Sequence, residues 1–421
     1  MSQLEKESVS WFSFLWFVVI LLVVEMEKEI VLPAIPHLMA AFEADYAVAQ
    51  MVLSINLLGF ALSCVSCYGL VRVLSYRAVM LLSYIGFNMG SVFSCSQSSL
   101  GLLVAGRFLQ GLSGGYLFII IFALLPMCYD RHKSERLLGF VNGVVCLTTG
   151  LAPLIGVLLI EYRDWAACFQ CVVLLSFCAT LGFPWAQNLA LNAPQLSTEQ
   201  SLKESYKSLI RSPCFVASAS IPALMLGCYL VYIAYAPFLY QQTLKDQNGQ
   251  LLYTVTQMGI MFGFAGLCFS SEKICAIFGH RRVETVMTCC SVFCGFLLVG
   301  ALWFAESYPL FLVVVSILTF SFQGIPFNNA MARTVRVLPD LETQASSLAM
   351  FLKLLSGSVF LWLTSLLGES PLEGTVVMLG VLFGFTLIPA CSRFMYDEDL
   401  SEESIEELSD LFALETCSMS V

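Results

Sequence analysis

Charge is scarce in this chain: of 421 residues only 12% are Asp, Glu, Lys or Arg, against roughly a quarter in a soluble domain. Together with 58% hydrophobic residues and a mean hydropathy of +0.82, this excludes an ordinary water-soluble fold and implies an integral membrane protein. Histidine is scarcer still. His37, His132 and His280 are far apart and lie near span ends or loops, so no metal site is expected. Seventeen cysteines, among them Cys64, Cys67, Cys146, Cys168, Cys171, Cys289 and Cys290, are scattered through apolar runs without metal-ligand spacing; they read as small buried hydrophobes rather than a disulfide scaffold. No phosphate-binding loop, Ser-His-Asp arrangement or zinc-spaced cysteine pair is present. An enzyme, a cofactor and a nucleic-acid partner are therefore not expected. The only soluble pieces are a central link and a tail, which leaves no room for an ATP-hydrolysing domain. Energy must come from an ion gradient or from the substrate's own.

What is present is a series of long apolar runs. At about 20 residues per crossing, they give twelve spans: 10–35, 47–71, 77–97, 100–127, 138–160, 166–186, 213–240, 252–274, 283–305, 308–332, 344–367 and 373–394. The first run is too long for a signal peptide and lacks a small-residue cleavage site. The expected organisation is a six-helix bundle over 1–186, a polar cytoplasmic link over 187–212, a second six-helix bundle over 213–394 and an acidic tail over 395–421. Of twenty Lys and Arg residues, fifteen fall in segments on the N-terminal side of the membrane, and only Arg163 and Lys245 fall on the other. That asymmetry places both termini in the cytoplasm. The formal net charge of −10 comes mainly from Asp397 to Glu415, which holds nine acids and no base. Gly279, His280, Arg281 and Arg282 stand in the second half where Ser75, Tyr76 and Arg77 stand in the first, an indication of internal duplication. Duplicated helical halves around a midplane site are a transporter design.

The remaining three cations, Lys28, Arg107 and Lys353, lie inside spans. So do Glu25, Glu27 and Glu29. A charge at mid-bilayer costs at least about 2.5–3.5 kcal/mol, so these groups should face protein or water. Glu25 and Glu29 share one helix face, with Lys28 in reach of Glu25 at i+3. Arg107, in the fourth-span string RFLQGLSGG, lies at a similar depth to Glu25 and is expected to pair with a first-span carboxylate; Glu27, turned elsewhere, is expected to be solvated or paired with Lys28. Arg107 is then either a pin between helices or a group that tunes the proton affinity of Glu25 or Glu29. Lys353 sits too deep in the eleventh span to snorkel comfortably and is expected in the cavity. Tyr229, Tyr232 and Tyr235 form an aromatic ridge on the seventh span, read either as helix packing or as a wall for stacking on substrate. In the tenth span Gln323, Gly324, Pro326, Asn328 and Asn329 form a polar, kinkable patch. In the fifth, Gly143, Gly150, Pro153 and Gly156 give a close-packing, bendable helix.

RFLQG, then DRHKSERLLG (Asp130 to Gly139), then the Gly/Pro-rich fifth span together resemble the major facilitator superfamily, in particular its twelve-helix drug:proton antiporters of the Bcr/CflA and MdfA kind. LPAIPHLMAAF (Leu32 to Phe42) resembles the first-span ending of the Bcr/CflA group. The resemblance implies an all-α membrane protein of two pseudo-symmetric six-helix bundles. It also implies that the fifth-span motif marks an exporter and that Arg107 and Glu29, four residues ahead of Pro33, take part in proton coupling. The second-to-third loop departs from the pattern: GLVRVLSYRAV (Gly69 to Val79) lacks the aspartate that normally anchors a charge relay between bundles. The glutamate-rich tail also resembles export signals of specialised bacterial secretion systems; a solvated helix or a docking segment for a basic partner are its other readings.

The expected function is thus proton-coupled export of a small organic compound by a monomer in lipid, in a bacterial inner membrane. Glu25, Glu29 and Arg107 would serve coupling, and Lys353, Tyr229, Tyr232, Tyr235 and Asn328 would serve substrate. The alternatives are an importer, either proton-independent or a proton symporter, and a non-transporting scaffold that signals through its tail.

Overall fold

The computed structural model describes residues 11–128, 131–184, 202–243, 249–304, 308–337 and 341–366, and a few positions between 376 and 386. Most of the expected twelfth span, the first half of the central link and the acidic tail lie outside the described residues. Every described element is a helix. The first half runs α1 (Trp11–Glu29), a 3-10 turn (Leu32–Ala34), α2 (Ile35–Phe42), α3 (Tyr46–Val73), α4 (Tyr76–Ser94), α5 (Leu100–Cys128), α6 (Arg131–Tyr162) and α7 (Ala166–Leu181). Then come α8 (Leu202–Arg211), α9 (Pro213–Thr243), α10 (Gly249–Phe278), α11 (His280–Trp303), α12 (Pro309–Ser321), α13 (Gly324–Arg336) and α14 (Glu342–Leu366). Among the described residues seven helices are long and apolar enough to cross a membrane, and two shorter apolar helices accompany them.

Three of these elements differ from the plain spans expected. The first span does not stop near residue 35: Pro33 and Pro36 each sit at the first turn of a new helical segment, where a missing N–H costs nothing. The chain therefore bends through a 3-10 turn and continues as α2. The tenth span is broken at Phe322 and Gln323 into α12 and α13. A Cβ on Gly324 would lie 2.7 Å from the Phe264 carbonyl oxygen, so only glycine permits α13 to cross α10 this closely. The end of the polar link is a helix, α8, whose Leu209 packs with Phe215, Ala219, Ala345 and Leu348 at the start of α9 and α14.

One buried core is built from α1, α3, α4 and α5, with Leu137 and Val141 of α6 and Ala179 of α7. Another is built from α9, α10, α11 and α12 with Val376, Leu379 and Phe383. Small residues set the spacing in the first. A Cβ on Gly59 would meet the Phe108 carbonyl, and one on Gly111 would collide with the Asn56 carbonyl, so α3 and α5 touch backbone to backbone. The two cores meet along α3 and α14. Ser358 Oγ donates to the Ser54 carbonyl at 2.8 Å, and Ser347 Oγ to the Cys64 carbonyl at 2.5 Å nearer the basic end. At the opposite end, Ile30, Val31 and Leu32 pack in one apolar cluster with Ile233, Ala234 and Leu361. The first core also reaches α14 through Leu354.

Candidate functional site

Between these seams lies a cavity of about 300 Å³ lined from both halves. Most of its wall is apolar, including Leu57, Leu230, Met261 and Phe264. Into it project Glu25, Lys28 and Glu29 of α1, Arg107 of α5, Tyr229 of α9, Gln323 ahead of α13 and Lys353 of α14. The charges sort into three arrangements.

The first is closed. Arg107 Nη1 is 2.5 Å from Glu27 Oε2, both side chains 1% exposed, and also donates to Gln110 Oε1 at 3.1 Å. Asn56 Nδ2 donates to Glu27 Oε1 at 3.1 Å and to the Arg107 carbonyl at 3.0 Å. Gln110 in turn donates to Ser91 Oγ at 3.0 Å and accepts from Ser94 Oγ at 2.7 Å. Four helices thereby share one buried polar network, in which each carboxylate oxygen of Glu27 has a donor. The sequence puts Glu25 at the depth of Arg107 and leaves Glu27 solvated or paired with Lys28; in the structure Arg107 pairs with Glu27 and Lys28 with Glu25. Two residues along a helix is about 200° of rotation, so when Glu25 and Glu29 face the cavity Glu27 must face α3 and α5. The glycine-permitted approach of those two helices brings Asn56 and Arg107 to meet it.

The second arrangement is local. Lys28 Nζ is 2.7 Å from Glu25 Oε2, one turn back, and also lies 4.7 Å from the centre of the Phe60 ring. A cation over an aromatic face is a further stabilising contact.

The third is unfinished. Glu29 Oε2 is buried and has no hydrogen-bond partner. Across the cavity, Lys353 has no carboxylate partner among the described residues; its Nζ lies 5.2 Å from the centre of the Phe327 ring. Glu29 is within electrostatic reach of Tyr229 and Tyr253. The Tyr229 hydroxyl is held by Gln257 Nε2, while Gln257 Oε1 and the Tyr253 hydroxyl are buried without partners. Leaving a buried polar atom unpaired costs about 1–3 kcal/mol. Of these three atoms only that of Glu29 belongs to a residue lining the cavity, and an unpaired acceptor there marks a place for a ligand or water.

The remaining candidates are distributed unevenly. Of the three tyrosines only Tyr229 lines the cavity. The Tyr232 hydroxyl lies 3.3 Å from that of Tyr240, and Tyr235 stacks on Phe238, both within buried packing of the second half. Asn328 is exposed and donates to Ser271 Oγ at 3.0 Å, away from the cavity. On α6, Gly150 faces the second half, where a Cβ would lie 3.3 Å from Met261 Cβ. Gly156 is pressed against the Ile30 carbonyl and Pro33, Pro153 lies inside the helix and Gly143 one turn or more before it. Asn56, Gln110 and Gln257 were not singled out from the sequence. The available signal was simply a lone amide in the middle of an apolar run.

A family model described as the Major Facilitator Superfamily matches residues 17–361. The chain belongs to the major facilitator superfamily. It is accordingly a multi-pass, all-α membrane transporter with that superfamily's fold. Among curated relatives, a protein named multidrug resistance protein MdtL from Salmonella dublin is 24% identical over 383 residues, covering 90% of this chain and 93% of the relative. MdtL from Salmonella typhimurium is 23% identical with the same coverage. Among solved structures, the xylose transporter XylE from E. coli in a partially occluded inward-open conformation superposes with a TM-score of 0.69 at 12% identity, covering 93% of this chain and 99% of XylE. A D-xylose-proton symporter gives a TM-score of 0.67 at 13% identity, covering 90% and 97%. These structural likenesses carry the superfamily fold and nothing about substrate.

At the superfamily's second-to-third loop this chain has no acid. Ser75 occupies the turn and caps α4 by accepting from the Ala78 amide at 3.2 Å. Among the described residues a charge pair near the basic end stands in the second half, where Arg333 Nη1 donates to both oxygens of Glu284 at 2.9 and 3.0 Å.

Proposed function

We propose that this transporter is a proton-coupled antiporter that exports an amphipathic small organic compound by alternating access. It works as a monomer in a bacterial inner membrane, with both termini cytoplasmic. The relatives named for multidrug resistance support export, and the charge asymmetry of the loops supports the orientation. The observation that carries the reading is the Glu29 carboxylate, with one oxygen buried and unpartnered at a cavity shared by both halves. A carboxylate in that setting holds a proton or a substrate cation but not both, and this competition is the minimum chemistry of proton antiport. Glu25, already held by Lys28, and Arg107, already held by Glu27, keep Glu29 the free member of the set.

Purified protein near neutral pH, in weakly buffered solution, should release protons when a cationic substrate such as tetraphenylphosphonium is added. The release should vanish in Glu29→Gln and persist in Glu25→Gln. Absence of release, or release unchanged in Glu29→Gln, contradicts antiport through Glu29. Lys353 favours a second reading. An anion bound there beside a protonated Glu29 would travel with the proton, making the protein a symporting importer. Uptake of an organic anion into vesicles, driven by an inward proton gradient, would select that reading.

A further inference from the structure

Resting on the antiport reading of Glu29, we propose that the natural substrates are zwitterions with an apolar body between two separated charges, the cationic end held at Glu29 and the anionic end at Lys353. The two poles of the cavity are chemically opposite. At the first, Glu29 Oε2 is a buried acceptor without a donor, and the Tyr229 ring lines the same cavity, an arrangement that suits an ammonium with its N–H bonds and its attraction to aromatic faces. At the second, Lys353 offers three donors and has no ion-pair partner among the described residues; its Nζ lies 5.2 Å from the centre of the Phe327 ring. Lys28 and Glu25 lie within its electrostatic reach, but these two already neutralise each other at 2.7 Å.

Charge balance decides between ligand classes. With all six groups ionised, Glu25, Glu27 and Glu29 offset Lys28, Arg107 and Lys353. A cation that displaces the proton from Glu29 leaves Lys353 uncompensated in an apolar cavity. An anion bound to Lys353 does nothing for Glu29 except favour its protonated form, which gives co-transport rather than exchange. A zwitterion completes both poles at once, and its ammonium substitutes for the departing proton. The apolar wall between the poles, including Leu57, Leu230, Met261 and Phe264, supplies most of the contact area and gives the body of the ligand its hydrophobic requirement.

The test uses full-length protein in nanodiscs and four probes: 4-aminomethylbiphenyl as cation, biphenyl-4-carboxylate as anion, 4′-aminomethylbiphenyl-4-carboxylate as a zwitterion with distant charges, and phenylalanine as one with adjacent charges. Calorimetric affinities should rank the distant-charge zwitterion at least ten-fold above each of the other three. Lys353→Gln should weaken the zwitterion to no better than the cation in the same variant, while the cation, relieved of a like charge, binds at least as tightly as to wild type. Glu29→Gln should reduce it to the affinity of the anion. A zwitterion no tighter than the cation, or a Lys353→Gln loss shared equally by the cation, overturns the two-pole site. Proton release by the cation probe is read in the same samples. Release without a zwitterion preference leaves antiport standing and removes this substrate class. A zwitterion preference without release leaves the two-pole site standing and removes antiport.

Discussion

Glu27 and Glu29 are two residues apart on one helix and live in opposite circumstances. Glu27 is enclosed by Arg107 and Asn56, and the network runs on through Gln110 to Ser91 and Ser94. Glu29 keeps an oxygen with no partner, at a cavity that the second half of the molecule also lines. A buried charge pair in which both carboxylate oxygens have donors does one thing well, which is to stay as it is: removing either partner leaves an uncompensated charge. An unpaired carboxylate is available to change state. The same helix therefore carries a paired charge on its back and an unpaired carboxylate on its front; in the proposed antiport the first positions α1 and the second titrates.

The comparison breaks most visibly at Arg107. Arg107→Ala leaves Glu27 buried and unpaired, and should cost about 3–5 kcal/mol, read as a large fall in thermal unfolding temperature in detergent. The double variant Glu27→Gln/Arg107→Gln should recover much of that loss. A stable Arg107→Ala protein lacking only proton release would instead place Arg107 on the working side. Next in size is Gly156→Val. A side chain there collides with the Ile30 carbonyl and Pro33, just beyond Glu29, and overpacking of this kind costs about 1–3 kcal/mol. It should reduce both stability and substrate affinity, whereas the same change at Gly300, where an added Cβ would meet nothing within 4 Å, should alter neither.

Much of this was legible in the sequence, and the reasons it was partly illegible are physical. Apolar run length located α3, α5, α9, α10, α11 and α14 because the bilayer sets their length. Cost of insertion singled out Arg107, Glu25, Glu29 and Lys353, and all four reach one cavity. Which carboxylate Arg107 would choose was not legible. That depends on the rotation of α1 against α3 and α5, fixed by backbone contacts at Gly59 and Gly111 that a pattern of spacing does not encode. Tyr229, Tyr232 and Tyr235 illustrate the same limit. A step of three residues turns a helix by about 300°, so the ridge drifts, and only its first member meets the cavity. A kink near Gln323 was legible in its polar, Gly- and Pro-containing patch, but neither that break nor the turn at Pro33, where the first span was expected to end, was legible as a junction between helices, since the turn geometry is settled by what α6 and α10 press against them.

Smaller effects sharpen the contrast. Tyr232→Phe removes a buried hydroxyl contact to Tyr240 and should cost about 1 kcal/mol with substrate binding unchanged, as expected for a residue outside the cavity. Glu29→Gln should have the smallest effect on stability, within about 0.5 kcal/mol of wild type, because the protonated resting carboxyl and the amide are both neutral and of similar size. The affinity of the wild type for a cationic probe should rise with pH, since the deprotonated carboxylate is the binding form, and Glu29→Gln should flatten that dependence. A pH dependence left intact in Glu29→Gln would move the titrating group elsewhere in the cavity.

Infrared difference spectroscopy on substrate addition observes the carboxyl itself. The wild type and Glu25→Gln should each lose a protonated-carboxyl carbonyl band when a cationic probe binds, and Glu29→Gln should show no such band. Loss of the same band in Glu29→Gln, with its disappearance in Glu27→Gln instead, would contradict the division between the sealed and the open face of α1.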